Sequence, residues 1–326
     1  MNLSRRGWAC LLLWPGLPLW VQAQTRALPR VAWVWPGTRE GEQLRAAAFR
    51  EGMATAGMVQ DKDYVLDERH ADGHYERFAA LISELLARAP AVLMANTIAS
   101  VRAAQEATKT VPIVFVATND PLGSGLIASY ARPGGNTTGL SSQNEDTVVK
   151  LVQLMHELLP RARRLVVLVN PGNVSGPKMF EVLRVAARGL DIEASAIEVS
   201  SPEGLDAAFD TVVRRRAEVL MTMPDAMFVS ERQRIAALAL SRALPYITTS
   251  REAAAAGAVL TYGQLQLEQF RRAASYVKRI LAGAGPGDMP VEQPVRFSLV
   301  INLKAAKALR LTVPQSLPLR ADEVIE

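Results

Sequence analysis

The chain has 326 residues, of which 49% are hydrophobic and 21% charged, with a formal net charge of +5. This is the balance of a folded globular protein with room for two domains, and it excludes extended disorder. The charge is too mild and too evenly spread for a nucleic-acid surface, because the basic clusters Arg161-Ala-Arg163-Arg164 and Arg214-Arg215-Arg216 carry no interleaved aromatics.

At the N-terminus, Arg5 and Arg6 precede the apolar run GWACLLLWPGLPLWV and then Val21-Gln22-Ala23. A basic start, an apolar middle and a small-x-small end spell a secretory signal peptide over residues 1–23, with cleavage after Ala23. Pro15 and Pro18 break the run, which is also short for a membrane span. The sole cysteine, Cys10, falls inside it, so the mature chain has no thiol for disulfides, thiolate metal sites or nucleophilic catalysis. The expected destination is the periplasm of a bacterium.

Beyond the signal, short apolar runs alternate with amphipathic stretches. RVAWVW (30–35) predicts a strand ending at Pro36-Gly37, and a helix follows with apolar Leu44, Ala47, Ala48 and Met53 and Gly57 near its end. Next come a strand at 64–69, a helix at 74–88, strand AVLMA (91–95), a helix at 97–108, strand PIVFVA (112–117) and a helix at 122–131. The second half repeats this order. RLVVLVN (164–170) ends at Pro171-Gly172, followed by a helix at 175–188, a strand near 192–198, a helix at 203–216, a strand from 218, a helix, and a strand opened by Pro245 as the earlier one is by Pro112. Four elements recur in one order at an offset of about 135 residues. The expected fold class is therefore α/β, with two Rossmann-like lobes of parallel sheet joined by a hinge.

Between the halves lies RPGGNTTG (132–139). Its glycines suit a phosphate cradle, but no lysine follows in the phosphate-loop pattern. Asn136-Thr137-Thr138 also spells a glycosylation acceptor. The third reading takes Gly134, Gly135 and Gly139 as the backbone freedom needed to leave one sheet for the next, and predicts that Asn136 to Ser141 runs between lobes.

Paired open sheets bind ligands at the carboxyl ends of their strands. The turns there supply the candidate ligand-binding residues: Thr38, Thr97, Ile98, Asn119, Asp120, Asn173, Asp225 and Ser250. Helix starts at Thr38 and Thr97 offer N–H groups to a carboxylate. Asp225 either accepts an ammonium group or caps the helix after it, and Asp120 is open in the same way before Pro121. Arg251 faces an anion or solvent, and Trp35 forms a ligand wall or belongs to the core. His70 and His74 are four residues apart but straddle Asp72-Gly73, which breaks a helix and argues against a metal pair. The chain lacks a G-x-S-x-G elbow and a phosphate loop, and Pro36-Gly37-Thr38-Arg39-Glu40-Gly41 after the first strand is not the G-x-G-x-x-G of a dinucleotide site. A polar cleft with both charge signs and no activated nucleophile suits binding of a small zwitterion, with no catalytic residue, metal or cofactor.

Three longer stretches carry a resemblance: PIVFVATNDPLGSGLIASYARPGGNTTGL (112–140), SREAAAAGAVLTYG (250–263) and VEQPVRFSLVINLKAAKALRLTVPQSLPLRADEVI (291–325). Through them the chain resembles the substrate-binding proteins of bacterial ABC transporters, in the family that includes tryptophan- and phenylalanine-binding members. The resemblance implies a type I periplasmic-binding-protein fold that closes on a small ligand, an amino acid or related carboxylate, and presents it as a monomer to a membrane permease. It also implies discontinuous lobes: residues 30–139 with approximately 264–290 in the first, 140–263 in the second, and 291–326 returning across the hinge. Trp33 and Trp35 are bulkier than the family leads one to expect on a first strand. Two other readings remain: a ligand-binding sensor for a membrane receptor, and a secreted two-lobed enzyme using Asp120 or Asp225 as a base.

Overall fold

The structure is a computed structural model that describes residues 27–326, and the expected signal peptide, with Cys10, lies outside the described residues. The first half contains β1 (Arg30–Trp35), α1 (Arg39–Thr55), β2 (Val65–His70), α2 (Phe78–Leu86), β3 (Val92–Ala95), α3 (Ile98–Ala107), β4 (Ile113–Asn119) and β5 (Thr137–Ser142). The second contains α4 (Asn144–Leu158), β6 (Arg164–Val169), α5 (Gly176–Arg188), β7 (Glu193–Glu198), α6 (Leu205–Arg214), β8 (Val219–Thr222), α7 (Ala226–Ser230), α8 (Arg232–Ser241), β9 (Tyr246–Thr248), α9 (Glu252–Ala256) and β10 (Leu260–Gln264). The chain ends with α10 (Gln266–Leu281), β11 (Phe297–Asn302), α11 (Leu303–Ala308), α12 (Ser316–Arg320) and β12 (Glu323–Ile325).

The strands form two sheets. The first has the order β2-β1-β3-β4-β5, all parallel, and within the second the strands β7-β6-β8-β9-β10 repeat that order. The sequence repeat is thus a duplicated topology. The second sheet then gains β11, antiparallel to β10, and β12 at its edge. Central strands such as β3 and β8 are buried along their whole length, because helices cover both faces and leave no side for polar alternation. Each sheet accordingly has two apolar clusters, one per face.

One cluster of the first sheet is completed from far along the chain. Phe270, Ala273, Val277 and Ile280 of α10 pack with Trp33, Phe49 and Met53. This also decides which side of α1 turns inward. Ala46, Ala48, Phe49 and Met53 are buried together with Glu42 and Arg45, whereas Leu44 is 48% exposed and Ala47 faces solvent, contrary to the apolar stripe read from the sequence.

Two expectations are corrected. No helix forms over 122–131. Leu126 N donates to Pro121 O and Ala128 N to Pro133 O, and the segment turns at Gly125, whose φ of 73° no right-handed helix permits. Nor does Asn136 to Ser141 run between lobes. It enters β5, the edge of the first sheet, which continues past Gly139 to Ser142. Gly139 is required by close approach, since a Cβ there would lie 2.0 Å from Phe115 O on β4. Asn136 is a tied turn residue whose Nδ2 donates to Thr108 O and Val111 O.

The chain passes between sheets at Gln143, at Leu265 and between Glu292 and Phe297. These crossings lie side by side: Gln143 N is 3.4 Å from Gln264 Oε1, and Leu265 N donates to Arg296 O at 3.3 Å.

Candidate functional site

The carboxyl ends of the two sheets face each other across a cavity of about 70 Å³. On the first-lobe side, β3 leads into Asn96 and α3 starts behind it. Thr97 caps α3 by accepting from Ser100 N, and Ser100 Oγ in turn accepts from Thr97 N, so the positive end of the helix is held at the cavity. Asn96 Oδ1 accepts from Trp33 Nε1 at 2.6 Å. An indole nitrogen can only donate, which fixes the carboxamide and leaves its Nδ2 as a donor. Alongside, β4 bulges between Val116 and Thr118, and Ala117 there adopts a φ of 54°, a left-handed strain held at the cavity wall.

Arg45 of α1 is the cation of this side. Its Nη1 donates to Glu42 Oε2 at 2.6 Å and its Nη2 to Gln266 Oε1 at 3.2 Å, with the guanidinium 5.7 Å above the Phe270 ring. Burial works against its charge, but the neighbouring Glu42 carboxylate outweighs it and holds the pKa above the usual arginine value. Arg45 therefore stays charged.

Asp225 stands opposite, at the end of β8. It caps α7, accepting from Met227 N at 2.9 Å, and also accepts from Asn170 Nδ2 at 3.3 Å, Asn173 Nδ2 at 3.0 Å and, across the cleft, Tyr75 Oη at 3.1 Å. No ion pair to Asp225 exists among the described residues. Burial raises its pKa, and the four hydrogen bonds oppose that rise. The Tyr75 hydroxyl is held well above its usual value by burial and by Asp225.

Beside the cavity the lobes meet in a close seam. Ser230 Oγ donates to Glu42 Oε1 at 3.1 Å, and Arg232 Nη1 to Gly41 O at 3.3 Å. A Cβ on Gly37 would lie 1.8 Å from Ser230 Oγ, and one on Gly41 2.7 Å from Ser230 Cβ. Glu42 thus touches the opposite lobe with one oxygen and orients Arg45 with the other.

Of the residues expected at the site, Thr97, Ile98, Asn119, Asn173 and Asp225 line the cavity. Three do not reach it. Thr38 is turned to cap α1, accepting from Gly41 N. Asp120 caps its own turn at Gly123 N and pairs with Lys178 of the other lobe at 3.1 Å. Ser250 is buried and donates to Glu252, while its neighbour Thr249 lines the cavity instead. Arg251 pairs with Glu323 at the surface, and Trp35 lies in the core. Sequence reasoning missed Arg45, Asn144, Ser175, Gln266 and Phe270 as lining residues, and Tyr75 as a partner of Asp225. A readable signal existed for one of them: Arg45 follows Glu42 by three residues on a helix, the spacing of an ion pair. Among the described residues no group of three or more His, Cys, Asp or Glu side chains could hold a metal, and no helix is long and apolar enough to cross a membrane.

Comparison with known proteins adds the biological frame. The model of the family described as ABC transporter substrate binding protein matches residues 39–325. The chain belongs to this family. It is thus a substrate-binding protein, in a family that binds and does not catalyse. A tyrosine-binding protein of Clostridioides difficile is 24% identical to it over 261 residues, 80% of this chain and 75% of that one. The structure of a conserved domain protein from Vibrio cholerae superposes with a TM-score of 0.83 at 25% identity, over 91% of this substrate-binding protein and 99% of the other. An ABC domain in complex with L-Trp from Streptococcus pneumonia superposes with a TM-score of 0.82 at 21% identity, over 92% and 100% of the two chains. The substrate-binding protein shares with these structures its two α/β lobes of parallel sheet.

Proposed function

We propose that this protein captures an amino acid, or a closely related carboxylate, between its lobes in the periplasm and presents it as a monomer to the membrane permease of an ABC importer. The observation that carries this reading is the division of charge across the cavity. Asp225 is a buried carboxylate with hydrogen-bond donors but no cation, an arrangement that an ammonium group would stabilise. Facing it are Arg45, Asn96 Nδ2 and the start of α3, a set of donors suited to a carboxylate. A zwitterion bridging the two sets would draw the lobes together. Tyrosine and tryptophan, the ligands of two relatives, carry the same head group.

In this reading the moving bodies are residues 30–142 with 266–292, and residues 144–264 with 297–326, turning about the three crossings. Thermal melting with a panel of the common amino acids tests the reading. A ligand at 100 times its Kd adds about 2.7 kcal/mol of stability, and Asp225→Asn should abolish that gain. A flat response across the panel would overturn it.

A further inference from the structure

We infer that the ligand is a compact, polar amino acid of the size of alanine or serine, and that aromatic amino acids are excluded; this rests on the amino-acid reading above. An apolar cavity of about 150 Å³ is what accommodates a single benzene ring, and the space between the lobes is about 70 Å³. Once the carboxylate and ammonium occupy their partners, what is left accepts a side chain of one or two heavy atoms.

The aromatic wall of the cavity is fixed from behind. Phe270 forms the aromatic face of the cavity and is 1% exposed. Behind it Trp33 and Trp35 stack on each other at 3.8 Å between centroids, and they lie 5.9 and 6.0 Å from the Phe270 ring. Neither indole is free to withdraw: Trp33 Nε1 is tied to Asn96 and Trp35 Nε1 to Glu68 at 2.9 Å. Phe49 closes the stack from the side, edge-on to Trp33 at 4.9 Å. A ligand ring would have to displace this whole stack, at the cost of two buried hydrogen bonds and overpacked neighbours.

The remaining surface is rich in amides, with Asn119, Asn144, Asn173 and Gln266 beside Ser175 and Thr249. Asn119, Asn144, Asn173 and Ser175 already pair within the protein, so a compact ligand that leaves this web in place is favoured over a ring that would have to break it.

Titration calorimetry on the mature protein with alanine, serine, phenylalanine, tyrosine and tryptophan decides the matter. The expected result is binding of alanine or serine with aromatic amino acids at least about tenfold weaker. Enlarging the cavity should then raise affinity for phenylalanine or tyrosine by about tenfold, through Phe270→Ala or, on the partly buried α7 side where folding is less at risk, Val229→Ala. Tyrosine or tryptophan binding to the wild type as tightly as serine would overturn the compact-ligand inference and leave the amino-acid reading intact. Binding of none of the amino acids would overturn both.

Discussion

The two lobes share one strand order but solve the same packing problem with different side chains. The first is built on rings: Trp33, Trp35, Phe49, Phe78, Phe115 and Phe270 are all fully buried. The second has fewer, chiefly Phe209, Phe228 and Tyr246, and fills its other face with Met179, Met221, Met223 and aliphatic residues. At the cleft the contrast becomes functional. The first lobe offers a stiff aromatic wall with a cation and fixed donors, and the second a carboxylate held in a web of exchangeable amide hydrogen bonds. The shared strand order supplies the scaffold, and Arg45 on α1 against Asp225 after β8 gives the halves opposite charge roles.

The largest expected effect attacks the stiff wall. Trp33→Ala removes a buried ring and the anchor of Asn96, and should cost about 3–5 kcal/mol, confined to the first lobe. Denaturation followed by far-ultraviolet circular dichroism, to which both lobes contribute, should show one early transition and one unchanged, and a uniform shift of a single transition would show that the lobes unfold as one unit. Asp225→Asn should weaken ligand binding by about 2–5 kcal/mol while changing thermal stability much less. The same residue sets a pH dependence. Burial raises its folded pKa above the ordinary 3.8, so its charge disfavours the fold progressively as pH rises through that window. A ligand ammonium favours the charged form, so affinity should rise over the same interval, and calorimetry across about pH 4 to 7 should find the slope absent in the variant.

Smaller effects probe the seam. Gly37→Ala places a methyl group against Ser230 and should hold the lobes apart, lowering affinity by about tenfold, or about 1.4 kcal/mol, with little change in unfolding of the ligand-free protein. Small-angle scattering should show the variant failing to compact when ligand is added. Lys178→Ala cuts the solvent-exposed pair with Asp120 and should change affinity by less than about 1 kcal/mol, less still at high salt.

Much of the scaffold was legible because each strand is a short apolar run with turn residues at its end, and because the pattern occurs twice. What failed was local. Leu122 to Ala131 has helical spacing, but two glycines and the pull of buried Leu126 and Ile127 toward the sheet favour a turn. Thr137 to Ser142 is small and polar by composition, yet it is a buried strand, because it pairs closely with β4 at the edge of the sheet and contacts the third crossing. At the site, residues on strand-end turns such as Thr97 and Asp225 could be picked out by position. Gln266 and Phe270 could not, since only the return of α10 brings them to a cleft built from residues far upstream.

That return has a consequence for how the molecule comes into being. Arg45 and Gln266 are 221 positions apart and touch. As the chain emerges from its N-terminus, the aromatic face of β1 and α1 stays uncovered until α10 arrives, and the second sheet waits longer still for β11 and β12. Neither lobe can finish early. High contact order of this kind slows folding, and neither core can be completed until these late elements have been made. On the periplasmic reading proposed above, such delay favours export, since the two lobes close only after the last fifth of the chain is available.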